Sequence, residues 1–83
     1  MIVKVTRKHI KNGKRGSETS YPIALALRGM SFKDCEVNVH DWYFKDKVVE
    51  LPKEARAFIK KFDDKEPVEP FSFRTVNLKK AVR

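Results

Sequence analysis

Residues 52–64, PKEARAFIKKFDD, hold the strongest periodic pattern in the chain. Four apolar side chains recur at i, i+3, i+4 and i+7, namely Ala55, Phe58, Ile59 and Phe62. This spacing predicts an amphipathic helix that buries one side. The basic side chains fall on the solvent side: Lys53, Arg56, Lys60 and Lys61. We expect the adjacent acids Asp63 and Asp64 to be solvated and to end the helix.

Strand patterns lie on both sides of this helix. After the proline-marked connection KEPVEP, the segment FSFRTV (71–76) alternates large apolar and polar residues and predicts a final strand. Before the helix, residues 35–51, CEVNVHDWYFKDKVVEL, predict a meander of three strands of about five residues each. Cys35, Val37 and Val39 are expected to share one face of the first strand. The turns are expected at His40-Asp41 and Asp46-Lys47.

The N-terminal third predicts one strand and two helices. IVKV (2–5) is typical of a strand, and Thr6 is expected to cap a short helix over roughly 7–12. Asn12-Gly13 would end that helix with a left-handed residue, or alternatively form a hairpin turn. In SYPIALALRGM (20–30), Pro22 suits the first position of a mostly buried helix, which should end near Gly29.

These elements predict an α+β fold in the order β-α-α-β-β-β-α-β. We expect a mostly antiparallel sheet of four to five short strands with helices packed on one face. A chain of 83 residues has room for one core. The predicted domain covers residues 1–76, and residues 77–83 form a basic C-terminal tail.

Two segments carry a resemblance to known proteins. YPIALALR (21–28) and VELPKEARAFIKKFDDKEPVEPFSF (49–73) resemble a recurring pattern in small uncharacterised proteins of bacteriophages and prophages. Relatives in that group often have Cys where this chain has Tyr21. The matching residues are core and turn positions over about half the chain, so the resemblance implies a fold and a phage-type protein acting inside a bacterial host. It implies no activity.

The composition indicates the cellular compartment and the class of partner. The N-terminus has charges where a secretory signal needs an apolar stretch, and the longest apolar run, PIALAL, is far too short to span a bilayer. A lone cysteine, Cys35, fits a reducing compartment. We therefore expect a cytoplasmic protein with no membrane partner. The oligomeric state stays open, since an edge strand or an exposed aromatic patch could make a homodimer.

The net charge of +8 is concentrated at the two ends of the chain. Residues 1–16 and 74–83 together hold ten lysines and arginines and no acid, whereas residues 17–73 hold nine basic and eleven acidic residues. A one-sided excess of this kind attracts anions. We expect phosphate or another anion to bind these residues: Arg7, Lys8, Lys11, Lys14, Arg15, Arg74, Lys79 and Lys80.

The loop GKRGSETS (13–20) supplies a second route to anion binding. It lacks the order and the preceding strand of a P-loop. Exposed amides around Gly13 and Gly16, together with the helix start at Pro22, could still hold an anion. The alternative is a mobile, soluble surface loop.

Three consecutive aromatic residues in HDWYF (40–44) cannot all face inward on a strand. Either Tyr43 or the pair Trp42 and Phe44 should therefore point away from the helices. Trp42 and Tyr43 are candidates for stacking on a base or for contact with a partner. The alternative is that the rings cover the sheet edge or pack beneath the C-terminal tail.

Signals for catalysis and metal binding are weak. His9, Cys35 and His40 lack the paired spacing of a zinc site, and Cys35 lacks a recognisable catalytic partner. We predict no metal, no cofactor and no catalytic residue.

Three hypotheses for function follow. The first is non-catalytic capture of a phosphate-bearing ligand, a nucleic acid or a signalling nucleotide, in host takeover or counter-defence. The second is inhibition of a host defence or transcription protein through direct binding, with aromatic anchors. The third is ribonuclease activity: the element order resembles that of the small RelE-type toxins, and His9, His40 or Arg74 would then act on RNA.

Overall fold

The computed structural model describes residues 1–78. Five strands and three helices follow the predicted order. The strands are β1 (Ile2–Val5), β2 (Glu36–Val37), β3 (Asp41–Phe44), β4 (Lys47–Glu50) and β5 (Phe71–Arg74). The helices are α1 (Arg7–Asn12), α2 (Pro22–Gly29) and α3 (Lys53–Asp63). The α+β class and its antiparallel pairing are confirmed.

The strands form two sheets, and the prediction of a single sheet was wrong in this respect. β1 pairs with β5 as a two-stranded ribbon, and β2, β3 and β4 form a three-stranded sheet. Where the two sheets approach each other, the Trp42 indole Nε1–H donates to Thr75 Oγ1 at 2.9 Å. This side-chain bond joins β3 to the residue after β5.

One core lies between the sheets and the helices. α2 contacts both β1 and β2, so it bridges the two sheets. Phe58 of α3 stacks on Phe71 of β5 with ring centroids 4.7 Å apart. Phe32, in the loop after α2, meets Trp42 and Phe44 edge to face. Leu78, which falls in the predicted C-terminal tail, is also buried in this core.

Two local predictions were wrong, one for the first strand of the meander and one for the end of α1. The first strand of the meander keeps only Glu36–Val37, and Val39 is exposed instead of sharing the buried face. The reason is Asn38, whose Oδ1 accepts the N–H groups of His40 and Asp41 and turns the chain early. Gly13 ends α1 in an extended conformation instead of a left-handed one.

Candidate functional site

The cations of α1 share one side of the helix. A residue turns about 100° around a helix axis, so Arg7, Lys8 and Lys11 fall within an arc of roughly 100°. Ile10, outside this arc, packs against the core. Helix α1 therefore presents three basic side chains to solvent, and its first turn contains no acid.

A local cap fixes where this arc begins. Thr6 is the N-cap: its Oγ1 accepts the His9 N–H at 3.4 Å, and its own N–H donates to His9 Nδ1 at 3.0 Å. This reciprocal arrangement is a capping box, which confirms the predicted start of α1. Burial, followed by the charge of Lys8, lowers the pKa of His9. His9 is thus a structural capping residue.

The β1–β5 ribbon contributes two more exposed cations. Lys4 lies opposite Ser72, and Arg74 lies opposite Ile2. Cross-strand partners point to the same face, so Lys4 and Arg74 are diagonal neighbours about 7–8 Å apart on the exposed side of the ribbon. Main-chain bonds between Met1 and Thr75 close this end of the ribbon. The first and last described segments of the chain are therefore adjacent.

Loop 13–20 positions Lys14 and Arg15 after α1. The Lys14 N–H donates to the Ser20 carbonyl at 2.8 Å, which closes the loop on itself. Both basic side chains are exposed. The loop is tied to the rest of the fold because the Val37 N–H donates to the Glu18 carbonyl at 2.8 Å.

The start of α2 is not an anion cradle, contrary to one expectation from the sequence. Gly13 lies so close to Pro22 that an added Cβ would be 2.6 Å from Pro22 Cγ. Pro22, Ile23 and Ala24 are all buried. Because the loop packs against this helix start, an anion has no open position there.

Most cations of this region have no acidic partner. Arg7 pairs with Glu69 at 3.8 Å, and both side chains are largely exposed. Six further basic residues of α1, the ribbon and loop 13–20 form no ion pair with any residue in 1–78, namely Lys4, Lys8, Lys11, Lys14, Arg15 and Arg74. We name the cationic surface by its seven members: Lys4, Arg7, Lys8, Lys11, Lys14, Arg15 and Arg74. The predicted site residues Lys79 and Lys80 lie outside the described residues.

The aromatic candidates separate from each other and from the cationic surface. Trp42 is fully buried, so its predicted role in stacking or partner contact was wrong. The inward face of β3 takes Trp42 and Phe44 into the core, which leaves Tyr43 exposed. Tyr43 lies between Glu36 and Val48 in the three-stranded sheet, and its nearest cross-strand charge is acidic.

A groove of about 600 Å³ runs along α3 beside the β2–β3 turn. Its basic lining residues are Lys53, Arg56, Lys60 and His40, and its other lining residues are Val39, Ala57, Asp63 and Asp64. The sequence analysis predicted that Lys53, Arg56 and Lys60 face solvent but did not predict that they line a common groove. The i, i+3, i+7 spacing of Lys53, Arg56 and Lys60 is a sequence signal for a shared helix face.

A polar pair joins the end of α3 to the start of α2. The Tyr21 hydroxyl donates to Asp63 Oδ2 at 2.8 Å, while the buried Asp63 Oδ1 has no hydrogen-bond partner. Burial and then the Asp63 carboxylate raise the pKa of Tyr21 to about 12. Helix α3 does end at Asp63, as predicted, but this acid is engaged with Tyr21 instead of being simply solvated.

The candidate ribonuclease residues occupy three different places. His9 caps α1, His40 lines the α3 groove, and Arg74 lines a separate depression beside Met1 and Glu50. Cys35 is buried, and burial raises its thiol pKa to about 11. Among residues 1–78, no group of three or more His, Cys, Asp or Glu side chains is arranged to hold a metal ion.

None of the described helices is both long and apolar enough to cross a membrane. Neither a family model, nor a curated protein, nor a solved structure matches the chain.

Proposed function

We propose that the protein binds the phosphate backbone of nucleic acid, without catalysis, through the cationic surface. The observation that carries the proposal is the pairing of β1 with β5, which places Arg74, near the end of the described chain, diagonal to Lys4 near its start. The resemblance to phage proteins adds a setting for this activity, namely host takeover or counter-defence inside a bacterial cell.

The energetics of α1 support a ligand that is absent from the isolated chain. Arg7 and Lys11 are like charges at i, i+4, an arrangement that costs about 0.2–0.5 kcal/mol in a helix. Arg7 and Lys8 also lie at the N-terminal end, where the helix dipole disfavours positive charge. A phosphate backbone would reverse both penalties, because it neutralises the charges that repel one another.

The spread of the cations favours a polymer over a single nucleotide. They extend from the ribbon through α1 to loop 13–20, and each side chain is exposed. One phosphate group can contact only a few of them at once, whereas a strand can contact several in succession. Tyr43 lies on the sheet among acids, so base stacking contributes little and sequence preference should be weak.

Salt dependence of binding to a labelled DNA duplex tests the proposal. Five phosphate contacts, three from α1 and two from the ribbon, predict a log-log slope of about −4.5. The affinity should then fall roughly 500-fold between 50 and 200 mM salt. Fluorescence anisotropy gives both quantities directly.

Single neutralisations locate the surface. Lys11→Gln and Arg74→Gln should each reduce the magnitude of the slope by about 0.9. Lys33→Gln, at an exposed lysine outside the cationic surface, is the matched control and should leave the slope unchanged. Equal effects of all three variants would show that only total charge matters and would refute a defined surface.

The α3 groove supports a second candidate, binding of a small phosphate-bearing ligand such as a signalling nucleotide. Three cations and His40 line one concavity there, together with Asp63 and Asp64, whereas the members of the cationic surface are spread over the ribbon, α1 and loop 13–20. Calorimetric titration with a nucleoside triphosphate distinguishes the two. Saturable binding lost in Lys60→Gln and retained in Lys11→Gln would favour the groove, and the reverse pattern would favour the cationic surface.

A further inference from the structure

The outward face of the three-stranded sheet exposes an apolar pair, one member on the central strand β3 and the other on the edge strand β4. Tyr43 is 38% exposed and Val48 is 55% exposed. They are direct cross-strand partners on β3 and β4. An exposed aromatic side chain paired across two strands with an exposed aliphatic one is the type of feature found at protein interfaces.

Hydrogen bonds hold the Tyr43 ring in place. Asn38 Nδ2–H donates to the Tyr43 hydroxyl at 3.0 Å. Asn38 is itself fixed, since its Oδ1 accepts the N–H groups of His40 and Asp41. A ring that is already ordered loses little conformational entropy when a partner covers it. Tyr43 is therefore a preorganised anchor.

Three carboxylates share this face with the anchor. Glu36 lies directly opposite Tyr43 on β2, and Asp41 and Glu50 form the next cross-strand pair on the same side. Glu50 pairs with Arg56 at 3.8 Å, whereas Glu36 and Asp41 form no ion pair within the described part of the chain. The face is thus acidic, opposite in sign to the cationic surface.

We propose that this face docks an arginine-bearing extended segment of another protein. A guanidinium can lie flat on the Tyr43 ring and at the same time pair with Glu36, because cross-strand neighbours have Cβ atoms about 4.5–5.5 Å apart. An apolar side chain of the partner would cover Val48. The carboxylates repel phosphate, so the occupant is a basic polypeptide and not nucleic acid.

The test uses the whole protein and a defined probe, an acetylated and amidated hexapeptide of alternating arginine and valine. In amide NMR spectra of labelled protein, saturable shifts should concentrate at Glu36, Tyr43 and Val48. Tyr43→Ala should weaken binding roughly 30-fold, the size typical of a central anchor. Glu36→Gln should weaken it about threefold, as expected for an exposed charge pair.

Two further variants guard against loss of folding and general charge effects. Val48→Lys changes a side chain that the core does not use, and it should abolish binding by adding like charge. Glu66→Gln removes an exposed acid elsewhere and should leave the affinity unchanged. Absence of saturable binding would overturn the proposal. So would amide shifts confined to the α3 groove, or an equal loss of affinity in Glu36→Gln and Glu66→Gln. Self-association that Tyr43→Ala abolishes would overturn it too, since the occupant would be a second copy.

Discussion

The hydrogen bond between Tyr21 and Asp63 allows a sharp test of what holds the start of α2 and the end of α3 together. In Tyr21→Phe the ring stays in place against Phe62, and only the hydroxyl is lost. Asp63 Oδ2 then loses its 2.8 Å donor, and Oδ1 already lacks one. The carboxylate is left without a side-chain partner.

The expected loss of stability is large because the acceptor of this hydrogen bond is charged. A hydrogen bond to a charged group contributes about 1.5–3 kcal/mol to stability. For a chain of this length, the unfolding entropy converts that loss into a fall in Tm of roughly 9–17 °C. Thermal unfolding followed by circular dichroism measures the shift.

Tyr43→Phe is the matched control, because it removes the same hydroxyl from an exposed, neutral hydrogen bond to Asn38. Its Tm should fall by no more than about 5 °C. If Tyr21→Phe shifts the Tm no further than Tyr43→Phe, the bond to Asp63 contributes no special stability and the reasoning is refuted. Asp63→Asn should lie between the two, since its amide oxygen still accepts from Tyr21.

Four further predictions rest on packing and titration. Gly13→Ala should destabilise the fold because the added methyl group clashes with Pro22. Gly29→Ala has open space around it and should stabilise α2 by about 0.5–1 kcal/mol. Chemical denaturation measures the free energy of unfolding of both variants. The folded-state pKa of Tyr21 is raised to about 12, so the unfolded chain loses this proton first and stability should fall from pH 10 to 12, less so in Tyr21→Phe. Acid has a parallel effect at His9: its pKa is lowered in the folded state, so stability should fall as the pH drops below 6.5, as pH-dependent unfolding would show. Buried Cys35, with its thiol pKa raised to about 11, should react with a thiol reagent only as fast as the protein unfolds, and rapid labelling of native protein would contradict this.

Local patterns in the sequence determined the elements and their order. The spacing of apolar residues in α3, the cap at Thr6 and the proline at the start of α2 are short-range features, and each is confirmed. The alternation of faces along a strand left two possibilities for residues 42–44: either Tyr43 or the pair Trp42 and Phe44 faces away from the helices. These features depend on residues a few positions apart, so the chain itself encodes them.

The candidate surfaces required the tertiary structure. β1 pairs with β5 from the other end of the described chain, and Tyr21 meets Asp63 across 42 positions. Sequence reasoning named six of the seven cations but could not show that Arg74 lies diagonal to Lys4 across the β1–β5 ribbon. Nor could it place Tyr43 among acids, because the neighbours of an exposed side chain depend on strand pairing. Such long-range partners are selected by the packing of the whole core, which no short stretch of sequence specifies.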